Sequence, residues 1–193
     1  MAVTLPKTQY LTYQDYLAEP EIMQRYDILD GVRYLHTNPS RYHQRLLCNV
    51  FEVLRDYERL NRNGETLIEP CDILIRISPL HIRQADVMFM SHERLAQCKD
   101  ENDPTPLLVA PELVVEIVST GEMRQRIADK IADYASMDAK ECWLVDTETK
   151  TVEILSLTKE VSQTIGIYTL TDTFESQALP NLSVRVDEIF ASM

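Results

Sequence analysis

The run Leu113-Val114-Val115-Glu116-Ile117-Val118-Ser119 constrains this chain more than any other segment. It is β-branched and nearly continuous, the pattern of a strand covered on both faces. Helical spacing follows over about Met123 to Met137, and then a second apolar strand, Cys142 to Asp146. That order predicts a right-handed βαβ crossover with parallel strands. The whole chain, residues 1–193, reads as a single domain. Its class is α/β, with a mixed central sheet flanked by helices.

Other elements are read the same way. Thr12 can cap a short helix to about Ala18. Asp30-Gly31, between Arg25–Leu29 and Val32–His36, is a hairpin signal. Leu46, Leu47, Val50, Phe51, Leu54 and Tyr57 predict a long helix over Ser40–Asn61, with Gly64 able to cap its end. Thr66–Ile68, Cys71–Ile77 and Gln84–Met90 read as strands, and Thr151–Leu157 and Ile165–Leu170 as edge strands. Asp187–Ala191 reads as a short closing helix, and Cys98–Pro106 as a surface loop.

Two carboxylates sit where water should not reach, Asp86 in IRQADVMFM and Glu116 in LVVEIVS. A lone buried carboxylate is costly, so each needs a counter-charge or a metal. One reading is a structural salt bridge to Arg83 or Arg76. The other is a pair of oxygen ligands for Mg²⁺. Lys130 is spaced three residues from Ile127 and four from Tyr134, at the border of that helix's buried stripe. A stem along the core would aim its ammonium toward the sheet, and a stem turned outward would place it in solvent. His36, His81 and His92 have no partner spacing and read as surface residues. Trp143 reads as packing, and Cys48, Cys71, Cys98 and Cys142 as free thiols in a reducing, cytoplasmic setting.

Taken in order, several segments resemble the bacterial Uma-type restriction endonuclease family, a branch of the PD-(D/E)XK nucleases. They are Tyr10-Leu11-Thr12-Tyr13-Gln14-Asp15-Tyr16-Leu17, Tyr26-Asp27-Ile28-Leu29-Asp30-Gly31, His43, Arg83-Gln84-Ala85-Asp86-Val87, Pro111 to Ser119, Lys130 with Tyr134, and Cys142 to Asp146. The resemblance runs from about Leu11 to Phe190. It implies a restriction-endonuclease-like fold and metal-dependent hydrolysis of DNA. It also implies a set of catalytic residues: Asp86 and Glu116 as Mg²⁺ (or Mn²⁺) ligands, Lys130 at the attacking water or the phosphate, and His43 and Asp27 as auxiliary groups. The chain departs from the family pattern at four places. Ala85 replaces a proline, Asp27 a longer glutamate, Val118 the superfamily's lysine, and Ser119-Thr120-Gly121 a Ser-Pro-Ser.

The net charge of −12 argues against a nucleic-acid binder. Its distribution softens that argument. Residues 41–62 carry five arginines against Glu52, Asp56 and Glu58. The acidic excess lies elsewhere, over residues 99–122 and 141–160. DNA binding is therefore expected to be weak and salt-sensitive, and aided by a homodimer. The absence of any apolar run of about 18 residues predicts no membrane span, and the opening segment predicts no secretory leader. Besides a nuclease, two readings stay open. One is a nuclease fold with weakened catalysis acting as a binding or regulatory module. The other is a small-molecule enzyme using the acidic pocket.

Overall fold

The computed structural model describes residues 10–20, 22, 24–98, 105–119 and 124–192. Local chemistry sets many of the element boundaries. Helix α1 (Tyr13–Ala18) starts at Thr12, whose hydroxyl accepts the Asp15 N–H while the Asp15 carboxylate accepts the Thr12 N–H. Strands β1 (Tyr26–Leu29) and β2 (Val32–Leu35) flank Asp30 and Gly31, both at positive φ, 49° and 81°. That two-residue geometry matches the twist of a hairpin. Helix α2 (Arg41–Asn61) is capped by the Ser40 hydroxyl, which accepts from the His43 N–H.

The far end of α2 departs from expectation. Arg62, at φ 50°, forms the cap, and its N–H donates to the Glu58 carbonyl at 2.7 Å. Gly64 instead opens strand β3 (Gly64–Ile68). A Cβ there would fall 2.6 Å from the Phe89 ring, so close strand approach demands the glycine.

Strands β4 (Asp72–Arg76), β5 (His81–Gln84) and β6 (Val87–Ser91) follow, then a short helix α3 (His92–Leu95). Next come β7 (Leu113–Val118), α4 (Arg124–Ser136), β8 (Glu141–Asp146), β9 (Thr151–Leu157) and β10 (Ser162–Tyr168). Strands β11 (Thr173–Glu175) and β12 (Ser183–Arg185) and helix α5 (Val186–Ile189) end the fold. Met123, most of the Cys98–Pro106 run, and Thr120 and Gly121 lie outside the described residues.

A six-stranded sheet runs β10-β9-β8-β7-β6-β3, with β7 and β8 parallel and its other neighbours antiparallel. A four-stranded sheet runs β2-β1-β5-β4. Only β10 of the two expected edge strands is an edge, because β9 is paired on both sides. The strand expected over Gln84–Met90 is two strands in two sheets. The chain leaves the smaller sheet after Gln84 and enters the larger at Val87. Ala85 and Asp86 make the handover, and the Asp86 carboxylate accepts the Ile117 N–H at 2.5 Å. A side chain thus takes a donor that a longer strand would have paired by backbone.

The two faces of β7 are both covered, as its sequence requires. Leu113, Val115 and Ile117 pack with Leu46, Val50 and Leu54 of α2. Val114 packs with Ile131, Tyr134 and Ala135 of α4 on the opposite face. Glu116 follows Val114 by the two-residue period, so it too faces α4. Burying a leucine or valine in such a layer contributes about 1.5–3 kcal/mol, and this packing holds the carboxylate in place.

A candidate active site between the two sheets

Glu116 is 4% exposed and Lys130 also 4%. Lys130 and Tyr134 are one helical turn apart, so both point at β7. The Lys130 ammonium donates to Glu116 Oε2 at 2.7 Å, and the Tyr134 hydroxyl to Oε1 at 2.6 Å. Both carboxylate oxygens are thus engaged. Burial raises the Glu116 carboxyl above its usual range and outweighs the opposing Lys130 charge. Burial likewise pushes the Tyr134 phenol well up.

Asp86 lies beside this pair, with its Oδ1 in a different setting. Arg25, from the segment before β1, puts NH1 2.5 Å from that oxygen and 2.7 Å from Glu69 Oε2. Its NH2 lies 3.8 Å from Glu116 Oε2 and donates to the Gln84 carbonyl. His43 Nε2, from the first turn of α2, lies 3.3 Å from Asp86 Oδ1. Burial opposes ionisation of Asp86, but Arg25 and His43 together hold its carboxyl far below the usual range. Burial and the nearby Asp86 raise the Glu69 carboxyl instead. Burial lowers the His43 imidazole pKa, and Asp86 more than restores it.

Four of the nine buried side-chain atoms that lack a hydrogen bond among the described residues lie here: Arg25 Nε, His43 Nε2, Glu69 Oε2 and Asp86 Oδ1. The close ion pairs therefore exist without hydrogen-bond alignment. The ligand atoms of His43, Glu69 and Asp86 all lie within 4.8 Å of one another, a spacing that fits a divalent cation. A cleft of about 600 Å³ gives access to Arg25 and Glu69 and is also lined by Gln24, His36, Gln44 and Ile68. A larger cleft, about 710 Å³, is lined by Tyr16, Tyr26, Asp72 and Gln84, and none of the five expected site residues borders either cleft.

Asp27 is bound apart from Asp86, by Arg83 NH1 and His36 Nε2, each at 3.1 Å. Burial opposes its ionisation, yet His36, Lys130 and Arg83 lower its pKa to about 2. Arg83 also binds Asp133, and Arg76 reaches Asp30. Neither arginine is the counter-ion of Glu116, since both belong to the smaller sheet; Lys130 takes that role with Arg25 nearby. His36 and His81 are not free surface residues either, because His81 binds Asp133 at 2.9 Å. The hairpin register pairs Asp27 with Tyr34, which puts His36 on the same face two residues on. Tyr134 is legible as the i+4 neighbour of Lys130, whereas Arg25 meets Asp86 from 61 residues away, a distance no local pattern reports. Nothing in the local pattern marks Glu69.

Among the described residues no helix is long and apolar enough to cross a membrane. No curated protein sequence matches the chain. A crystal structure described as a "putative nuclease belonging to DUF820", from Anabaena variabilis, superposes with a TM-score of 0.75 at 16% identity. The match covers 93% of this chain and 97% of that one, and it shows a shared fold. The family model Uma2, described as "Putative restriction endonuclease", matches residues 10–187, a span that includes every residue of the cluster. The chain therefore belongs to the Uma2 family, described as a "Putative restriction endonuclease", and shares the fold of the Anabaena protein.

Proposed function

We propose that this protein is a metal-dependent endonuclease that hydrolyses phosphodiester bonds in DNA. One observation carries the reading. Asp86 and Glu116 converge with Lys130 in a buried cluster whose outer members, Glu69 and Arg25, border a solvent cleft. Three carboxylates and a lysine are more than packing needs, and their cost is borne where charge must be handled.

A divalent ion held by Asp86 and Glu116, Mg²⁺ or Mn²⁺, would polarise the scissile phosphate and acidify the attacking water. The chain's own groups do the rest. Lys130, fixed by Glu116, is placed to orient the water or to neutralise charge growing on the phosphate. Tyr134 locks Glu116 in one rotamer by its hydrogen bond. Asp27, held by Arg83 and His36, is close enough to Lys130 for their charges to interact. His43 keeps Asp86 ionised from the α2 side. Val118 cannot serve in place of the superfamily lysine, so Lys130, on the neighbouring helix, takes its work.

The DNA would meet the outer face of α2, where Arg41, Arg59 and Arg62 are exposed. So few cations imply weak, salt-sensitive binding. A homodimer joined through the β10 edge, where Ile165 and Ile167 are 40% and 62% exposed, would present two such faces to a duplex. A cytoplasmic setting suits such a substrate and the free thiols.

A second reading has its own support. Arg25 already neutralises the carboxylates, as expected of a nuclease fold that binds without cutting. Nicking of supercoiled plasmid with Mg²⁺ or Mn²⁺ tests both. Loss of cutting in Asp86→Asn, Glu116→Gln and Lys130→Met supports the nuclease. Binding without cutting by the wild type supports the second reading. Cutting that survives all three substitutions overturns the assignment of this site.

A further inference from the structure

We propose that the cleft of about 600 Å³ beside the carboxylate cluster holds one unstacked nucleobase of the DNA, read by the amides of Asn38 and Gln44. This rests on the nuclease reading above and names the form of DNA that the site takes. The cleft adjoins the cluster through Arg25 and Glu69, and Arg25 NH1 lies 2.5 Å from Asp86 Oδ1. A base seated there belongs to a nucleotide beside the phosphate under attack. The cleft's size falls within the roughly 300–1,000 Å³ of small-ligand sites. Its lining does not suit a phosphate. Apart from His36, its only ionisable lining groups among the described residues are Arg25 and Glu69, paired with each other at 2.7 Å. Phosphate contacts draw on free lysines, arginines and backbone N–H groups.

The groups that remain are those that read base edges. Gln24, Asn38 and Gln44 each offer a carboxamide, a donor beside an acceptor, the pair that matches adenine. Gln24 Nε2 donates to the His36 carbonyl at 3.1 Å, whereas the Asn38 and Gln44 side chains make no hydrogen bond among the described residues. The His36 ring is fixed by Asp27 at 3.1 Å, and Ile68 is 42% exposed, so the cleft also offers flat and apolar surface for a base to lie on. Shape decides the state of that base. Bases in a duplex are read by a helix or ribbon that projects into the major groove. A concave site cannot meet a stacked base, so the nucleotide must be single-stranded or turned out of the helix. Arg41, three residues before Gln44 on α2 and exposed like it, is placed to hold the adjoining backbone. A chain of net charge −12 gains from this mode, because contacts to a base do not depend on releasing counterions.

The test is fluorescence anisotropy of labelled DNA with the whole protein in chelator, where no cutting occurs. The probes are a paired duplex, the same duplex with one bulged adenine, that bulge made abasic, and a single strand of deoxyadenylate. The bulged adenine and the single strand should bind at least about tenfold tighter than the paired duplex, because their bases are already free of the stack. The abasic bulge should lose that gain. Asn38→Leu and Gln44→Leu should each weaken the bulged probe by about fivefold or more without changing its salt dependence, since they remove a base contact and no phosphate contact. Arg41→Gln should instead weaken every probe and lower the salt slope by about one. Both amides are exposed, and thermal melts confirm that their variants fold. Equal affinity for paired and bulged duplex, equal affinity for the adenine and abasic bulges, or no binding of any probe overturns the proposal. If it falls while Mg²⁺- or Mn²⁺-dependent cutting is still lost in Asp86→Asn, the nuclease reading stands without a base cleft. A bulge preference in a protein that cuts with no divalent ion supports the cleft and overturns the nuclease reading instead.

Discussion

Glu141 and Asp86 are buried to the same degree, each 1% exposed, and they live in opposite chemistries. Glu141 accepts from the Trp143 indole N–H at 2.5 Å and from the N–H groups of Gln177 and Ala178 at 2.6 and 3.0 Å. All three donors are neutral and rigid, and together they seat the segment after β11. Asp86 has one such donor, Ile117, and otherwise faces Arg25 and His43. Glu141 is thus satisfied by neutral donors of the fold itself, whereas Asp86 is balanced by side-chain cations. The partners of a buried carboxylate therefore say more about its role than its burial does.

The largest effect is expected at Asp86 and Lys130. Asp86→Asn or Lys130→Met should cut plasmid nicking by on the order of 10²–10³-fold, while Glu141→Gln should leave the rate per folded molecule unchanged. Equal losses at both carboxylates would erase the distinction. Thermal unfolding with added metal sharpens it. Mn²⁺ at about 100 times its Kd should stabilise wild type and Glu141→Gln alike by about 2.7 kcal/mol, and Asp86→Asn not at all. Without metal the order reverses. Glu141→Gln should lose about 1–3 kcal/mol in denaturant melts, because an amide nitrogen would confront backbone donors.

Asp27 gives the smallest and most pH-specific effect. Its pKa falls from 3.8 to about 2 on folding. The ionised form is thus favoured in the folded state, and the resulting stability, on the order of 2 kcal/mol, is present above pH 4. It is lost as pH falls toward 2. Asp27→Asn should remove that stability at neutral pH and flatten the acid limb between about pH 4 and 2. Melts of the two proteins across that range check it. Parallel acid limbs would show that Asp27 is not held ionised by His36, Lys130 and Arg83.

Much of the framework is legible in the residues alone. Capping at Thr12 and Ser40, the Asp30-Gly31 turn and the strand–helix–strand unit all rest on contacts within a few residues, which local patterns report. The misreadings share one cause. Gln84–Met90 looks like a single strand because no glycine or proline interrupts it at Ala85 and Asp86; the split comes from two sheets competing for the same chain. Gly64 looks like a helix cap until the Phe89 ring is placed beside it. Of the five site residues expected from the sequence, His43 meets Asp86, Lys130 meets Glu116, and Asp27 is held apart by Arg83 and His36; Arg25 and Glu69, which contact Asp86 or its counter-ion, are not among the five.

By itself the sequence determined the alternation that puts Glu116 in a covered strand, the helical spacing that aims Lys130 and Tyr134 at it, and the ordered motifs of the family. Each follows from a period of two or 3.6 residues or from a motif read in order. The tertiary structure alone sets which buried carboxylate is satisfied by neutral donors and which is balanced by Arg25 and His43. That depends on the sheet handover at Asp86 and on groups brought in from three separate elements. Electrostatic pairing at 2.5–3.8 Å is set by three-dimensional distance, which residue spacing along the chain does not report.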